Sequence, residues 1–313
     1  MAVRPLGLAA FAVIFVLSGF MNALQARANG ELTLHIGNGV QAALFSFGSG
    51  FILLSAIVLL APAARAGVRR IIPAVRSGAL AWWAVPTGVL GGIFIACQSY
   101  STALIGVALF SVGMVAGQTV NSLLVDRVGL SPIGKTALTA RRVAAAGVAA
   151  AAVVVAASGR LSEADLSLPA LLAAFAGGCL VAVQQALNGR VNVASRQPIA
   201  TTWMNFLFGT TALLLGAAVG VTLFDASVQV PTSGPAWMYL GGLFGLTFIV
   251  TAAWAVPRYG VLIFALITIA GQLCAALVLD LATPVGDNGV QWPLVVGVVM
   301  TLLAVLMAAG RRA

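Results

Sequence analysis

Ten runs of mostly apolar residues follow one another along this chain: 6–28, 38–61, 81–103, 105–125, 139–158, 169–189, 198–222, 236–256, 259–280 and 290–310. Each approaches the roughly 20 residues that a membrane-crossing helix needs. In hydrocarbon every backbone N–H and C=O must be satisfied within the segment, so runs of this length are read as helices. The composition agrees. Only 7% of the residues are charged and the mean hydropathy is +1.08, whereas a soluble domain carries about 25% charge. The expected fold is an all-α integral membrane protein with ten transmembrane helices.

The punctuation fits these divisions. Pro62 and Pro73 fall in the second loop and Ser131-Pro132 in the fourth. Pro169 and Pro198 stand at the first turns of the sixth and seventh spans, where a missing N–H costs little. Spans three and four, and eight and nine, are joined only around Gly106 and Gly260, which predicts tight antiparallel hairpins. Arg4, an apolar stretch and Ala26-Arg27-Ala28 imitate a signal peptide and its cleavage site. The stretch has a counterpart in the second half, however, as a working span would and a discarded leader would not.

Loop charges orient the spans. With the N-terminus cytoplasmic, all of the sixteen Lys and Arg residues except Arg27 and Arg160 fall in cytoplasmic loops or termini. That split follows the positive-inside rule and puts both termini in the cytoplasm. The net charge of +9 is spread singly or in small groups between apolar runs, so no nucleic-acid surface is expected. Cys97, Cys179 and Cys274 all fall inside apolar runs without CxxC spacing and read as small buried residues. His35 is the single histidine, so neither a metal site nor a cofactor is expected.

The chain also repeats itself. Residues 116–126 and 270–280 both begin Ala-Gly-Gln and both end in Asp. At an offset of 159, Gln25 meets Gln184, Asn29 meets Asn188, Gly30 meets Gly189 and Gly50 meets Gly209. At 154, Trp83 meets Trp237, Gly88 meets Gly242, Gly91 meets Gly245, Phe94 meets Phe248 and Gly106 meets Gly260. Residues 1–160 and 161–313 therefore read as two five-span units. Five is odd, so the second unit enters the membrane the other way up. Secondary transporters use this inverted-repeat layout, with the site near the midplane between halves.

Polar side chains within the spans are the candidates for that site, because an amide in lipid must face a neighbour or a cavity. Gln118 and Gln272 lie near mid-span and either line a substrate path or join helices through a hydrogen bond. Asn22, Gln25 and Asn29 form one stripe at i, i+3, i+7; Gln184 and Asn188 form another at i, i+4, with Gln185 beside it. Ser46 and Asn205 are equivalent positions, as are Tyr100 and Trp254; the two aromatics read either as cavity walls or as interface belts. Trp83 and Trp237 read as belts. Asp126 and Asp280 fall at the water edge on opposite sides, as helix-end markers or as gates. No carboxylate or Lys lies deep in a span. Glu31, near the outer end of the first, is the nearest carboxylate for coupling. Either it reaches a cavity, or another ion is used, or the protein is a facilitator.

Trp82-Trp83, Gly88, Gly91, the Ala116-Gly117-Gln118 pattern before Asp126, and Gln184 with Leu187-Asn188 resemble the YdcZ-type membrane proteins. These belong to the drug/metabolite transporter superfamily, which also holds EamA-like and small multidrug resistance proteins. Members usually have five spans in about half this length, and this chain looks like a fused pair. The resemblance implies a bacterial inner-membrane secondary transporter that moves a small organic solute or metabolite by alternating access. It would be coupled to a proton, to sodium or to neither, and act as a monomer or homodimer in the lipid bilayer. The chain departs from the small multidrug proteins in lacking an embedded Glu in its first span. Amides suit polar neutral or zwitterionic solutes. The rival reading is a non-transporting scaffold or sensor subunit; its loops, short and plain in sequence, weaken it. An enzyme finds no nucleophile–base pair here.

Overall fold

A computed structural model describes residues 5–159, 167–224, 227–229, 234–259, 261–283 and 290–309; within these, the side chains of 5–11, 224, 249, 252–259, 261–263 and 309 are not described. The described chain is all helical. In order come α1 (Pro5–Ile36), α2 (Gly39–Leu60), α3 (Pro62–Arg76), a 3₁₀ turn (Trp82–Thr87) and α4 (Gly88–Val128). Then follow α5 (Ala140–Ser158), α6 (Leu168–Ser195), α7 (Pro198–Phe224), a second 3₁₀ turn (Ala236–Leu240), α8 (Gly241–Tyr259), α9 (Val261–Ala282) and α10 (Trp292–Ala309). Six helical segments among the described residues are long and apolar enough to cross a membrane.

Helix boundaries follow local chemistry. Gly37 turns the chain with φ 71°, and the Asn38 side chain then accepts from the N–H groups of Val40 and Gln41 to start α2. Thr139 and Ser167 cap α5 and α6 in the same way. Gly129, at φ 79°, closes α4 and donates its N–H to the Val125 carbonyl.

Gly106 breaks α4 into two arms, 88–105 and 107–128, through backbone torsions of φ 79° and ψ 170° that only glycine adopts readily. α6 serves as a ruler for their directions. Along α6, Ala170, Gly177 and Gln184 meet Ser101, Cys97 with Phe94, and Thr87 in turn, so the first arm runs antiparallel to it. Ala174, Cys179 and Ala182 meet Gly113, Asn121 and Val125 in turn, so the second arm runs parallel. The arms therefore fold back on each other. Phe94 and Phe110 sit with ring centroids 6.4 Å apart, where sixteen residues of straight helix would separate them by about 24 Å. Phe248 and Phe264, their counterparts at an offset of 154, are 5.7 Å apart, so α8 and α9 turn back likewise. Gly260 itself lies outside the described residues.

Many other contacts recur at the two sequence offsets. A Cβ on Gly50 would strike the Phe206 ring, and one on Gly209 would strike Phe47. The Phe47 and Phe206 rings are stacked 4.6 Å apart at 15°. Gly19 lies against the Thr268 carbonyl and Gln272 amide, and Gly178 against the Met114 carbonyl and Gln118 amide. Gly271 meets Val16 as Gly117 meets Phe175, and Gly245 meets Gln25 as Gly91 meets Gln184. The two 3₁₀ turns begin 154 residues apart. The pairing crosses between the two halves of the sequence: α1 packs on α8 and α9, α6 on both arms of α4, α2 on α7 and α5 on α10. Lipid tails give helices no hydrophobic reason to associate, so close backbone approach at small residues does that work. α5 meets α10 in this way, with Gly297 set against Ala152 and Ala156.

Four expectations need correcting. The second loop is mostly a helix: α3 turns Ala64, Gly67 and Ile71 inward and leaves Arg65, Arg69 and Arg76 exposed. The pattern fits a helix lying along the bundle, and Gly67 allows close contact with Gln197 and Ala200. The first helix does not stop at residue 28 but continues to Ile36, so Asn29 and Glu31 lie within it. Cys274 is exposed, not buried; it shares a face of α9 with exposed Val278 and Leu281, as an apolar side chain can where lipid is the solvent. Asp280, expected open to water at a span edge, is enclosed by protein. It is 3% exposed and lies inside the bundle, because the start of the second arm of α4 supplies its partners.

Candidate functional site

The sequence offered one central cavity lined by six amides. The structure distributes them over several environments. Gln118 lines a cavity of ≈ 340 Å³ with Val115, Thr119 and Ser122 on the second arm of α4. Ala265, Leu266 and Ile269 of α9 face them, and Val305 and Ala308 of α10 close the side. One wall is polar and the other two are apolar. Gln118 donates to Gln185 Oε1 at 3.0 Å, Thr119 Oγ1 to the Val115 carbonyl at 2.7 Å, and Ser122 Oγ to the Thr119 carbonyl at 2.7 Å. Thr119 and Ser122 escaped the sequence reading, since hydroxyls that bond back along their own helix are ordinary in apolar spans. Their i, i+3 spacing on the face of Gln118 and Val115 was the available signal.

Gln184, Asn205 and Asn188 form a chain: Gln184 Nε2 donates to Asn205 Oδ1 and Asn205 Nδ2 to Asn188 Oδ1, each at 3.2 Å. It joins α6 to α7 beside Gly91, whose missing side chain leaves room for the Gln184 amide. The equivalent cluster gathers Gln25, Asn29 and Ser46. Gln25 abuts Gly245, while Asn29 and Ser46 abut Gly241. Asn29 is fully buried and donates from Nδ2 to Gln98 Oε1 at 3.0 Å. Gln98 is a partner that the sequence reading missed, because its counterpart at offset 154 is Ala252 and no pairing drew attention to it. Gln272 is buried and Asn22 is half-buried; neither lines the described cavity. Tyr100 is 40% exposed, sits by Gly39 and is also outside the cavity lining. The Trp254 side chain lies outside the described residues.

The two aspartates differ although the sequence makes them counterparts. Asp280 accepts from the Val107 N–H at 3.0 Å and the Ala108 N–H at 2.8 Å. It thus satisfies orphan amides at a helix start, where the dipole favours negative charge. It also fits against Gly106, since a Cβ there would lie 2.7 Å from Asp280 Oδ2. Asp126 is 19 residues further along the same arm, about 28 Å from Val107. Its carboxylate pairs with Arg142 at the start of α5, and its carbonyl accepts from the Thr136 N–H at 2.8 Å. The cavity lies towards the Asp126 end, one turn before it on the helix. Glu31 stands between Arg27, at 3.6 Å, and His35, at 3.7 Å, on successive turns of α1.

Among the described residues, no three His, Cys, Asp or Glu side chains come together in a way that could hold a metal ion. The arrangement offers hydrogen bonds, apolar walls and two differently engaged carboxylates. No individually curated protein matches the chain. The family described as "Putative inner membrane exporter, YdcZ" matches residues 10–155 and 169–307. That match covers nearly the whole of an apolar, all-helical chain, which therefore belongs to the YdcZ family of membrane-embedded drug/metabolite transporters.

Proposed function

We propose that the chain exports a small organic solute across the bacterial inner membrane by alternating access. On this reading it is built as two inverted five-span units, residues 1–160 and 161–313, with both termini in the cytoplasm. The distribution of Lys and Arg supports the orientation. The contacts that recur at offsets of 159 and 154 support the duplication, as does a family match that breaks between residues 155 and 169.

The observation that carries the mechanism is the unequal engagement of Asp280 and Asp126. In a duplicated transporter the halves exchange conformations between states, so equivalent residues occupy different environments at any moment. Asp280 ties α9 to the start of the second arm of α4 and closes the periplasmic end. Its counterpart Asp126 is held by Arg142 at the cytoplasmic end, on the side of the cavity. In the opposite state Asp126 leaves Arg142 for the start of α9, and Asp280 releases Val107 and Ala108. Gln118 and Gln272 then exchange roles as the cavity amide. Asn22, Gln25 and Ser46 line the periplasmic half of the route and Gln184, Asn188 and Asn205 the cytoplasmic half, with Tyr100 and Trp254 as its aromatic edges. Glu31, between Arg27 and His35, is the carboxylate placed for coupling to protons.

The test is flux of a solute panel in proteoliposomes, with and without proton and sodium gradients. Gln118→Ala and Gln272→Ala should each lower transport at least tenfold. Unchanged transport in both variants would remove the cavity assignment.

A further inference from the structure

The cavity beside Gln118 has a hydrogen-bonding character more specific than its polarity. A hydroxyl has one hydrogen to give and two lone pairs to accept with. Thr119 and Ser122 both line the cavity, and both commit that hydrogen to a carbonyl of their own helix, at 2.7 Å in each case. What they can offer a guest is oxygen lone pairs. Gln118 spends one N–H on Gln185, keeping its carbonyl oxygen and one further hydrogen. The polar wall thus presents three oxygens and a single hydrogen. Helical backbone amides behind these side chains are already paired and add no donors. The remaining described lining residues are apolar: Val115, Leu266, Ile269 and Val305, with two alanines.

No charged side chain is among the described lining residues. A full cation entering would leave its hydration for walls whose described residues hold no counter-charge, which is costly. An ether or ketone can accept only the one free Gln118 hydrogen and leaves the Thr119 and Ser122 oxygens unpaired. A neutral donor on an apolar body avoids both penalties.

We infer that this cavity selects an uncharged hydrogen-bond donor with an apolar body, such as an alcohol, held by Thr119 and Ser122 against the apolar walls of α9 and α10. The inference rests on the transport reading above and gives that reading a substrate class. At ≈ 340 Å³ the cavity has room for one aromatic ring with a short side chain.

The test uses three probes of nearly equal size: 2-phenylethanol, its methyl ether and 2-phenylethylammonium. Binding to the purified full chain in detergent is followed by saturation-transfer NMR and compared with Thr119→Val, Ser122→Ala and the double variant. Thr119→Val preserves side-chain shape, and thermal unfolding of each variant establishes that it is folded. The alcohol should bind the wild type roughly tenfold more tightly than the ether, the scale of one hydrogen bond. The double variant should bring the alcohol down to the ether's level and leave the ether unchanged. The inference is overturned if alcohol and ether bind alike, if the ammonium binds best, or if the alcohol does not bind. Counterflow of the same probes in proteoliposomes separates the two readings. Selective binding without counterflow removes transport of this class but keeps the site; counterflow of ether and alcohol alike keeps transport and removes the donor selectivity.

Discussion

Removing the Asp280 carboxylate leaves the Val107 and Ala108 amides without their acceptor at a helix start buried inside the bundle. The cost can be worked from the contacts. Each N–H lies within 3.0 Å of a different carboxylate oxygen, and a buried donor left unsatisfied costs about 1–3 kcal/mol. The favourable placement of negative charge at the helix N-terminus adds roughly 0.3–1 kcal/mol. Asp280→Ala should therefore destabilise the protein by about 2–7 kcal/mol. Asp280→Asn retains one acceptor and should lose about half of that. Asp126→Ala is the matched control: its carboxylate is 23% exposed and pairs with a similarly accessible Arg142, a kind of pair worth about 0–1 kcal/mol. Equilibrium unfolding in mild detergent, with tryptophan fluorescence as the readout, measures all three. A loss below about 1 kcal/mol for Asp280→Ala, or an equal loss for Asp126→Ala, would refute the reasoning that Asp280 closes one end of the bundle.

Two further perturbations address the architecture. Gly106→Ala places a Cβ 2.7 Å from Asp280 Oδ2 in a backbone region closed to other residues; it should cost about 3 kcal/mol or more, while Gly48→Ala, with open space around it, should be neutral or stabilise by up to about 1 kcal/mol. Equal tolerance at the two positions in the same unfolding assay would argue against a strained reversal at Gly106. Gly19→Val and Gly178→Val drive a branched side chain into the backbone at Gln272 and Gln118 respectively. Both should abolish recovery of folded protein in fluorescence-detected size-exclusion chromatography, and tolerance of one alone would contradict the equivalence of the two crossings.

The helices were legible because apolar length and turn chemistry are local. The reversal at Gly106 was legible for the same reason: two apolar runs with one glycine between them leave little alternative. α3 was missed because its arginines make it too polar to read as a span, although Ala64, Gly67 and Ile71 recur at helical spacing and were visible in the sequence. The site was harder to read. Gln118 stands on a helix whose other faces are also apolar, so no periodicity shows which face meets α9 and α10. That rotation is decided by Gly178, which lets α6 approach so closely that Met114 and Gln118 are held at its backbone. The fate of Asp280 depends on amides 173 and 172 residues away in sequence, and no local pattern encodes a partner at that distance. What the sequence did contain was the repeat, and the repeat makes the asymmetry informative. Asp126 and Asp280 both end a stretch that begins Ala-Gly-Gln but have different partners in space. On the proposed alternating-access reading that difference is expected, because the two halves hold different conformations at any one moment.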